Sequence, residues 1–182
     1  MFVYHSNNQT NISVGARYKK PVYTSLMRVT LIQCGKTKDN FITEGVEAFR
    51  KRIIHYFPFT IETASDLKNS KNLTMKEVQE REGDRLLKRI GAADYLILLD
   101  ERGKLYDSIA FARHLNSLEG RVNHLKFVIG GPYGFSEKIY NRADESISLS
   151  PLTFSHQLIR LIFMEQLYRA CTILKGEPYH HA

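Results

Sequence analysis

Short unbroken apolar runs alternate along this chain with stretches in which apolar residues recur every three or four positions. The runs read as strands: RVTLIQC at Arg28–Cys34, FTIETA at Phe59–Ala64, YLILL at 95–99 and LKFVI at 125–129. Between the first two, Phe41, Gly45, Phe49 and Ile53 step by four, as do Ile42 and Val46, which predicts one apolar helix face. Thr74 followed by Glu77 makes a capping box for the helix MKEVQEREGDRLLKRI, with Gly91 in the stop position. Asp107 can cap SIAFARHLNSLE, which Gly120 ends. A short helix near Ser136–Arg142, a strand at Glu145–Ser150 and a final helix from His156 to Lys175, stopped by Gly176, complete the pattern.

Strands that are apolar throughout and separated by helices imply an α/β fold: a mainly parallel sheet with helices on both faces. Ligands of such sheets bind beyond the carboxyl ends of the strands. Three loops stand out there, after Leu99 (DERGK), after Ile129 (GGPYG) and after Leu149 (SPLTFSH). The polar segment DLKNSKN connects the second strand to the second helix.

Composition changes this picture little. The chain has 182 residues, is 43% hydrophobic and 25% charged, and has no tryptophan. No apolar run reaches the ~20 residues of a membrane helix; Leu158 to Leu174 is interrupted by Arg160, Glu165 and Arg169. The formal charge of +7 is compatible with RNA contact, and part of it lies in residues 1–26, which hold Arg17, Lys19 and Lys20 and no acid. Residues 1–26 are polar and lack an apolar signal segment, and Met27 directly precedes the first strand. They read as an extension before a single domain spanning residues 27–182, or else as a disordered arm that helps bind RNA. Cys34 and Cys171, far apart and each in an apolar setting, read as buried small hydrophobes and fit a reducing cytosol. They offer neither a disulfide framework nor a zinc site.

The glycine loop Gly130-Gly131-Pro132-Tyr133-Gly134 invites comparison with phosphate cradles. It lacks the G-x-G-x-x-G spacing, and Asp144 and Glu145 come too soon for a ribose-binding acid. No G-x-x-x-x-G-K-[ST] occurs, because Gly134 precedes Phe135 and Gly103-Lys104 precedes Leu105. What remains is either a plain tight turn or a loop whose backbone must approach a ligand closely. No metal cluster or nucleophile elbow is apparent.

LLDERGK, FVIGGPYG, SLSPLTFSHQLIRLIFMEQLYRA and the terminal GEPYHH, in this order, resemble the RlmH (YbeA-like) family of SPOUT methyltransferases. The resemblance covers Met27 to the end. It implies a trefoil knot in the C-terminal half, a homodimer and the cofactor S-adenosylmethionine. The implied reaction is methylation of N3 of a pseudouridine in helix 69 of 23S rRNA on the assembled ribosome. It places the cofactor against Leu99, Gly130, Gly131, Leu149, Ser150, Pro151, Leu152, Thr153 and Phe154, with Pro151 acting through its backbone only. No metal is needed, since the cofactor carries the leaving group.

The imide N3–H must lose its proton, so a base or a stabilising cation should help. Arg169 is the first candidate, although an ion pair with Glu165 one helical turn away would equally explain it. Tyr179 and His180 match the family's PYH element and are expected at the RNA site; His181 departs from it. His156, Asp100 and Glu101 are weaker candidates, the last two also readable as polar caps of their loop. The last helix is apolar nearly all round, which calls for a second copy or for burial within the chain. Arg50, Lys51, Arg52, Arg85, Lys88 and Arg89 read mostly as solvated helix faces, some of them able to meet rRNA phosphates. A non-catalytic ribosome-binding factor of the same fold is the principal alternative, and a nucleotide-dependent enzyme a weaker one.

Overall fold

The computed structural model describes residues 27–67 and 72–180; the proposed extension at residues 1–26, and His181, lie outside them. Five strands form one sheet: β1 (Arg28–Cys34), β2 (Phe59–Ala64), β3 (Tyr95–Leu105), β4 (His124–Ile129) and β5 (Glu145–Ser148). Their order is β2-β1-β4-β3-β5, and every neighbouring pair runs parallel. The carboxyl ends therefore share one edge, as the apolar runs predicted.

Alternate residues of each strand feed two cores. Leu31, Ile97, Leu125 and Phe127 face α1 (Asn40–Ile53), α3 (Ser108–Leu118) and α5 (Leu158–Lys175). Ile32, Leu96, Leu98 and Val128 face α2 (Met75–Leu87) and α4 (Glu137–Arg142). Phe127, fully buried, packs against Phe163 of α5 with ring centroids 4.8 Å apart and planes tilted by 52°. The sheet's two-residue period thus fixes which helix each side chain meets. Among the described residues no helix is long and apolar enough to cross a membrane.

The local signals act where the sequence put them. Thr74 and Glu77 exchange the reciprocal bonds of a capping box. The Asp107 carboxylate accepts from the Ala110 N–H at 2.6 Å. Gly176 closes α5 at φ 65°, in the left-handed region. Two expectations are corrected. First, α2 ends at Leu87 rather than at Gly91, whose N–H donates to Asp94 Oδ2 at 2.6 Å in the turn beyond. Second, the segment after Leu99 is not simply a loop. Leu99 and Lys104 both pair with Ile147, so residues 100–103 leave the ladder and β3 then resumes to Leu105. Gly103 makes this possible, because a Cβ there would lie 2.5 Å from the Ile147 backbone.

The circumference of α5 is also more fully covered within the chain than its composition implied. Phe163, Met164, Leu167 and Ala170 face the sheet. On the α1 side Leu161 packs so closely that a Cβ on Gly45 would sit 2.7 Å from it. Leu174 remains 40% exposed.

Candidate functional site

A cavity of about 460 Å³ opens at the carboxyl ends of β3, β4 and β5. Leu99, Gly130, Gly131, Leu149, Ser150, Leu152, Thr153 and Phe154 all line it. The structure thus brings together every residue assigned to the cofactor except Pro151, which is exposed and does not line the cavity. Asp100, Glu101, Tyr140, His156 and Ile159 complete much of the wall.

The excursion from β3 and the loop after β5 are tied across the mouth. Thr153 Oγ1 donates to Glu101 Oε2 at 3.2 Å. The Tyr140 hydroxyl donates to Asp100 Oδ2, while Asp100 Oδ1 accepts from the Arg102 N–H at 2.8 Å. Burial and then the Asp100 carboxylate push the Tyr140 phenol up to about 12. Both acids are therefore loop fasteners, and they also leave negative charge at the rim. Ser150 shapes its own turn: its Oγ accepts from Leu152 N–H, and its carbonyl accepts from the Ser148 hydroxyl, both at 2.9 Å. Leu152 is held 72% exposed. The His156 imidazole is held below its usual range, by burial first and then by the neighbouring Arg160 and Lys38 charges.

The paired glycines also relieve crowding within the loop's own packing. Neither has positive φ; that falls on Gly134, at 77°. A Cβ on Gly130 would meet the buried Phe135 ring at 3.1 Å, and one on Gly131 would collide with the Glu82 carboxylate. The glycines therefore let the loop pack closely on Glu82 of α2 and on Phe135, which itself lines the cavity. Glu82 carries a carboxyl pushed above its usual range, by burial first and by Asp66 second. Its Oε2 is buried without a partner among the described residues.

The second predicted cluster lies elsewhere. Arg169 does form the ion pair with Glu165, with Nη2 to Oε1 at 2.5 Å and Nε to Oε1 at 3.0 Å. The same carboxylate oxygen accepts from the Tyr179 hydroxyl at 3.1 Å. The Arg169 guanidinium lies 4.9 Å over the Tyr179 ring and 3.5 Å from His180 Nδ1. Tyr168 packs edge-on against Tyr179 at 4.8 Å, and Tyr56 donates to Glu177 at 2.5 Å. Arg169, Tyr179 and His180 thus form one cluster, held by Glu165. None of the three lines the cavity. Arg169 lies ten positions along α5 from Ile159 at the cavity, about 15 Å along the axis.

Four of the six basic residues expected to face solvent or rRNA are engaged within the fold. Arg50 pairs with Glu47, Arg85 donates to the Ser65 and Asp66 carbonyls, and Arg89 meets Glu62 at 3.2 Å. Arg52 lies 5.5 Å over the rings of Phe49 and Tyr168. Among the described residues no group of three or more His, Cys, Asp or Glu is placed to hold a metal ion. Both cysteines are free and buried, Cys34 with its thiol pushed up to about 12 chiefly by burial.

Two site features escaped the sequence reading. Glu165 was visible only as a partner for Arg169, because its grip on the tail joins positions fourteen residues apart. Arg160 read as an interruption in an apolar helix, yet it is the largest fully buried side chain.

Comparison with known proteins matches residues 27–180 to the model of a family described as predicted SPOUT methyltransferase. Curated relatives include the ribosomal RNA large subunit methyltransferase H of Parabacteroides distasonis, 50% identical over 156 residues. Those of Flavobacterium johnsoniae and Bacteroides fragilis are each 47% identical over 156 residues. In all three the match covers 85% of this chain and 99% of the relative. A wall of strand-end loops around one cavity, a family model spanning nearly all the described residues, and relatives of this similarity converge: the chain belongs to the SPOUT methyltransferase family, in its ribosomal RNA large subunit methyltransferase H group.

Proposed function

We propose that residues 27–182 form a single methyltransferase domain that methylates N3 of a pseudouridine in helix 69 of 23S rRNA. The cofactor is S-adenosylmethionine, and the substrate is the assembled ribosome in the cytoplasm. The observation that carries this reading is the cavity at the ends of β3, β4 and β5, taken with the family to which the chain belongs. Its volume of about 460 Å³ falls within the range of small-molecule sites. Leu99, Ile129, Phe154 and Ile159 offer apolar walls for an adenine ring, and main-chain groups at Gly130 and Ser150 offer polar contacts. Asp100 and Glu101 place negative charge beside a ligand that carries a sulfonium and an ammonium group. The family's trefoil knot belongs to the same reading.

S-adenosylmethionine supplies, when bound, both the methyl group and its leaving group. The protein's part is to hold the base in line and to manage the N3 proton. Arg169 stabilises the negative charge that develops on the imide, and Tyr179 and His180 orient the base. Arg169 stands about 15 Å along α5 from the cavity on the same chain, with Tyr179 and His180 packed against it. A homodimer in which the tail of one protomer meets the cavity of its partner removes that separation. The exposed Leu152 at the cavity mouth is an apolar contact for such a partner.

The experiment incubates the full chain with methyl-labelled cofactor and ribosomes that lack the modification. Label on the helix 69 pseudouridine is the expected result. Cofactor binding without label in the large-subunit rRNA would favour a binding factor without turnover.

A further inference from the structure

We infer that Arg160 is a positioning residue for the cofactor cavity: its guanidinium ties the carboxyl end of β1 to the end of the loop after β5, and so fixes that loop relative to the glycine loop. The inference rests on the reading of this cavity as the S-adenosylmethionine site. Arg160 opens the apolar part of α5 and is 0% exposed. Burying a guanidinium is expensive unless its donors are satisfied. Here the charge is met by dipoles: Nη2 donates to the Cys34 carbonyl at 2.6 Å, Nη1 to the Gly35 carbonyl at 3.1 Å and to Thr37 Oγ1 at 2.8 Å. Nε donates to the His156 carbonyl at 3.0 Å. Three of these acceptors belong to β1 and the turn beyond it. The fourth belongs to a residue of the cavity wall.

Packing alone does not call for a guanidinium here, but an apolar side chain would leave the buried Cys34 and Gly35 carbonyls without these donors. A planar fork supplies them and reaches two chain segments at once. Gln157 repeats the connection beside it, accepting from the Lys38 N–H at 2.9 Å and donating to the Lys36 carbonyl at 3.3 Å. The other end of the relay is Cys34, at the end of the strand that pairs with β4 up to Ile129, directly before the glycine loop. Cys34, Gly131, Pro132 and His156 close round a second, small cavity of about 50 Å³ behind the glycine loop. The end of β1 therefore touches the glycine loop on one side and, through Arg160, the loop after β5 on the other. Cofactor affinity depends on the spacing of those two loops, and displacements near 1 Å are enough to weaken it.

The test is calorimetric titration of S-adenosylmethionine into the full chain, its Arg160→Lys variant and its Thr37→Val variant, each below its unfolding temperature. Lysine keeps the charge and loses the fork; valine keeps the guanidinium and removes one acceptor. The expected result is affinity weakened about tenfold or more for Arg160→Lys and about threefold for Thr37→Val. The KM for cofactor should rise in step, while the KM for ribosomes stays within about twofold, a split that mere loss of stability does not produce. Folded Arg160→Lys that binds within about twofold of the wild type overturns the inference. Should that variant not fold, Thr37→Val decides: unchanged affinity overturns the inference and weakened affinity supports it. A wild type that binds no cofactor overturns the cofactor reading itself, and this inference with it.

Discussion

The Tyr179 hydroxyl donates to Glu165 Oε1 at 3.1 Å, and the same oxygen receives the Arg169 guanidinium at 2.5 Å. One helix carboxylate therefore holds the C-terminal tail and the arginine beneath it together. Chain ends fray unless tied down, and here the tie is specific. Burial first, and Glu165 second, hold the Tyr179 phenol above its usual range, so it keeps its donor proton.

Glu165→Gln should free the tail and lower methyl transfer by about tenfold or more, through loss of the charge-assisted bonds. Cofactor affinity should stay unchanged, because Glu165 does not line the cavity. Single-turnover assays beside calorimetry measure the two separately; equal losses in both would refute the division of roles.

Deleting residues 179–182 should abolish transfer and leave self-association intact, as analytical ultracentrifugation would show. An active truncate would remove Tyr179 and His180 from the mechanism.

Gly130→Ala places a Cβ 3.1 Å from Phe135. The ring must shift, so thermal stability and cofactor affinity should fall together. Loss of affinity with an unchanged melting temperature would show that the glycine serves close approach to the ligand and not packing on Phe135.

Glu82 gives a pH signature. Its folded-state pKa is raised, chiefly by burial, so its protonated form suits the fold and its charged form opposes it. Relative to Glu82→Gln, the wild type should hold its stability below about 4.5, the ordinary carboxyl value, and lose it as pH rises through the raised value. Melting temperatures of the pair at acidic and neutral pH test this. The glutamine variant should gain at neutral pH only, and a gain that does not change with pH would exclude the buried charge as its source.

Thr74→Ala removes a reciprocal cap and should cost about 1 kcal/mol in urea denaturation. The urea m-value should be unchanged.

The strands and helix caps were legible because their causes are local. The run YLILL needs burial on both faces, Thr74 and Glu77 lie three residues apart, and Gly176 takes the left-handed angle that other residues resist. The three strand-end loops followed from parallel pairing alone. The resumption of β3 after residue 103 was not legible, since it depends on Ile147 accepting two partners and on a close backbone approach at Gly103. The coverage of α5 was equally hidden, because its apolar residues look the same whether α1, α3 or another chain lies against them.

By itself the sequence determined the alternation of elements, the parallel sheet and the edge at which its loops gather. These depend on the periodicity of side chains and on turn chemistry, both set within a few residues. Only the tertiary structure decided that Gly130 packs against Phe135 and Gly131 against Glu82, and that Arg160 joins β1 to the loop after β5. It also decided that Arg169, Tyr179 and His180 gather at the far end of α5 from the cavity. Such contacts join residues up to 126 positions apart. Their distances are fixed by packing across the whole sheet, which no local pattern encodes.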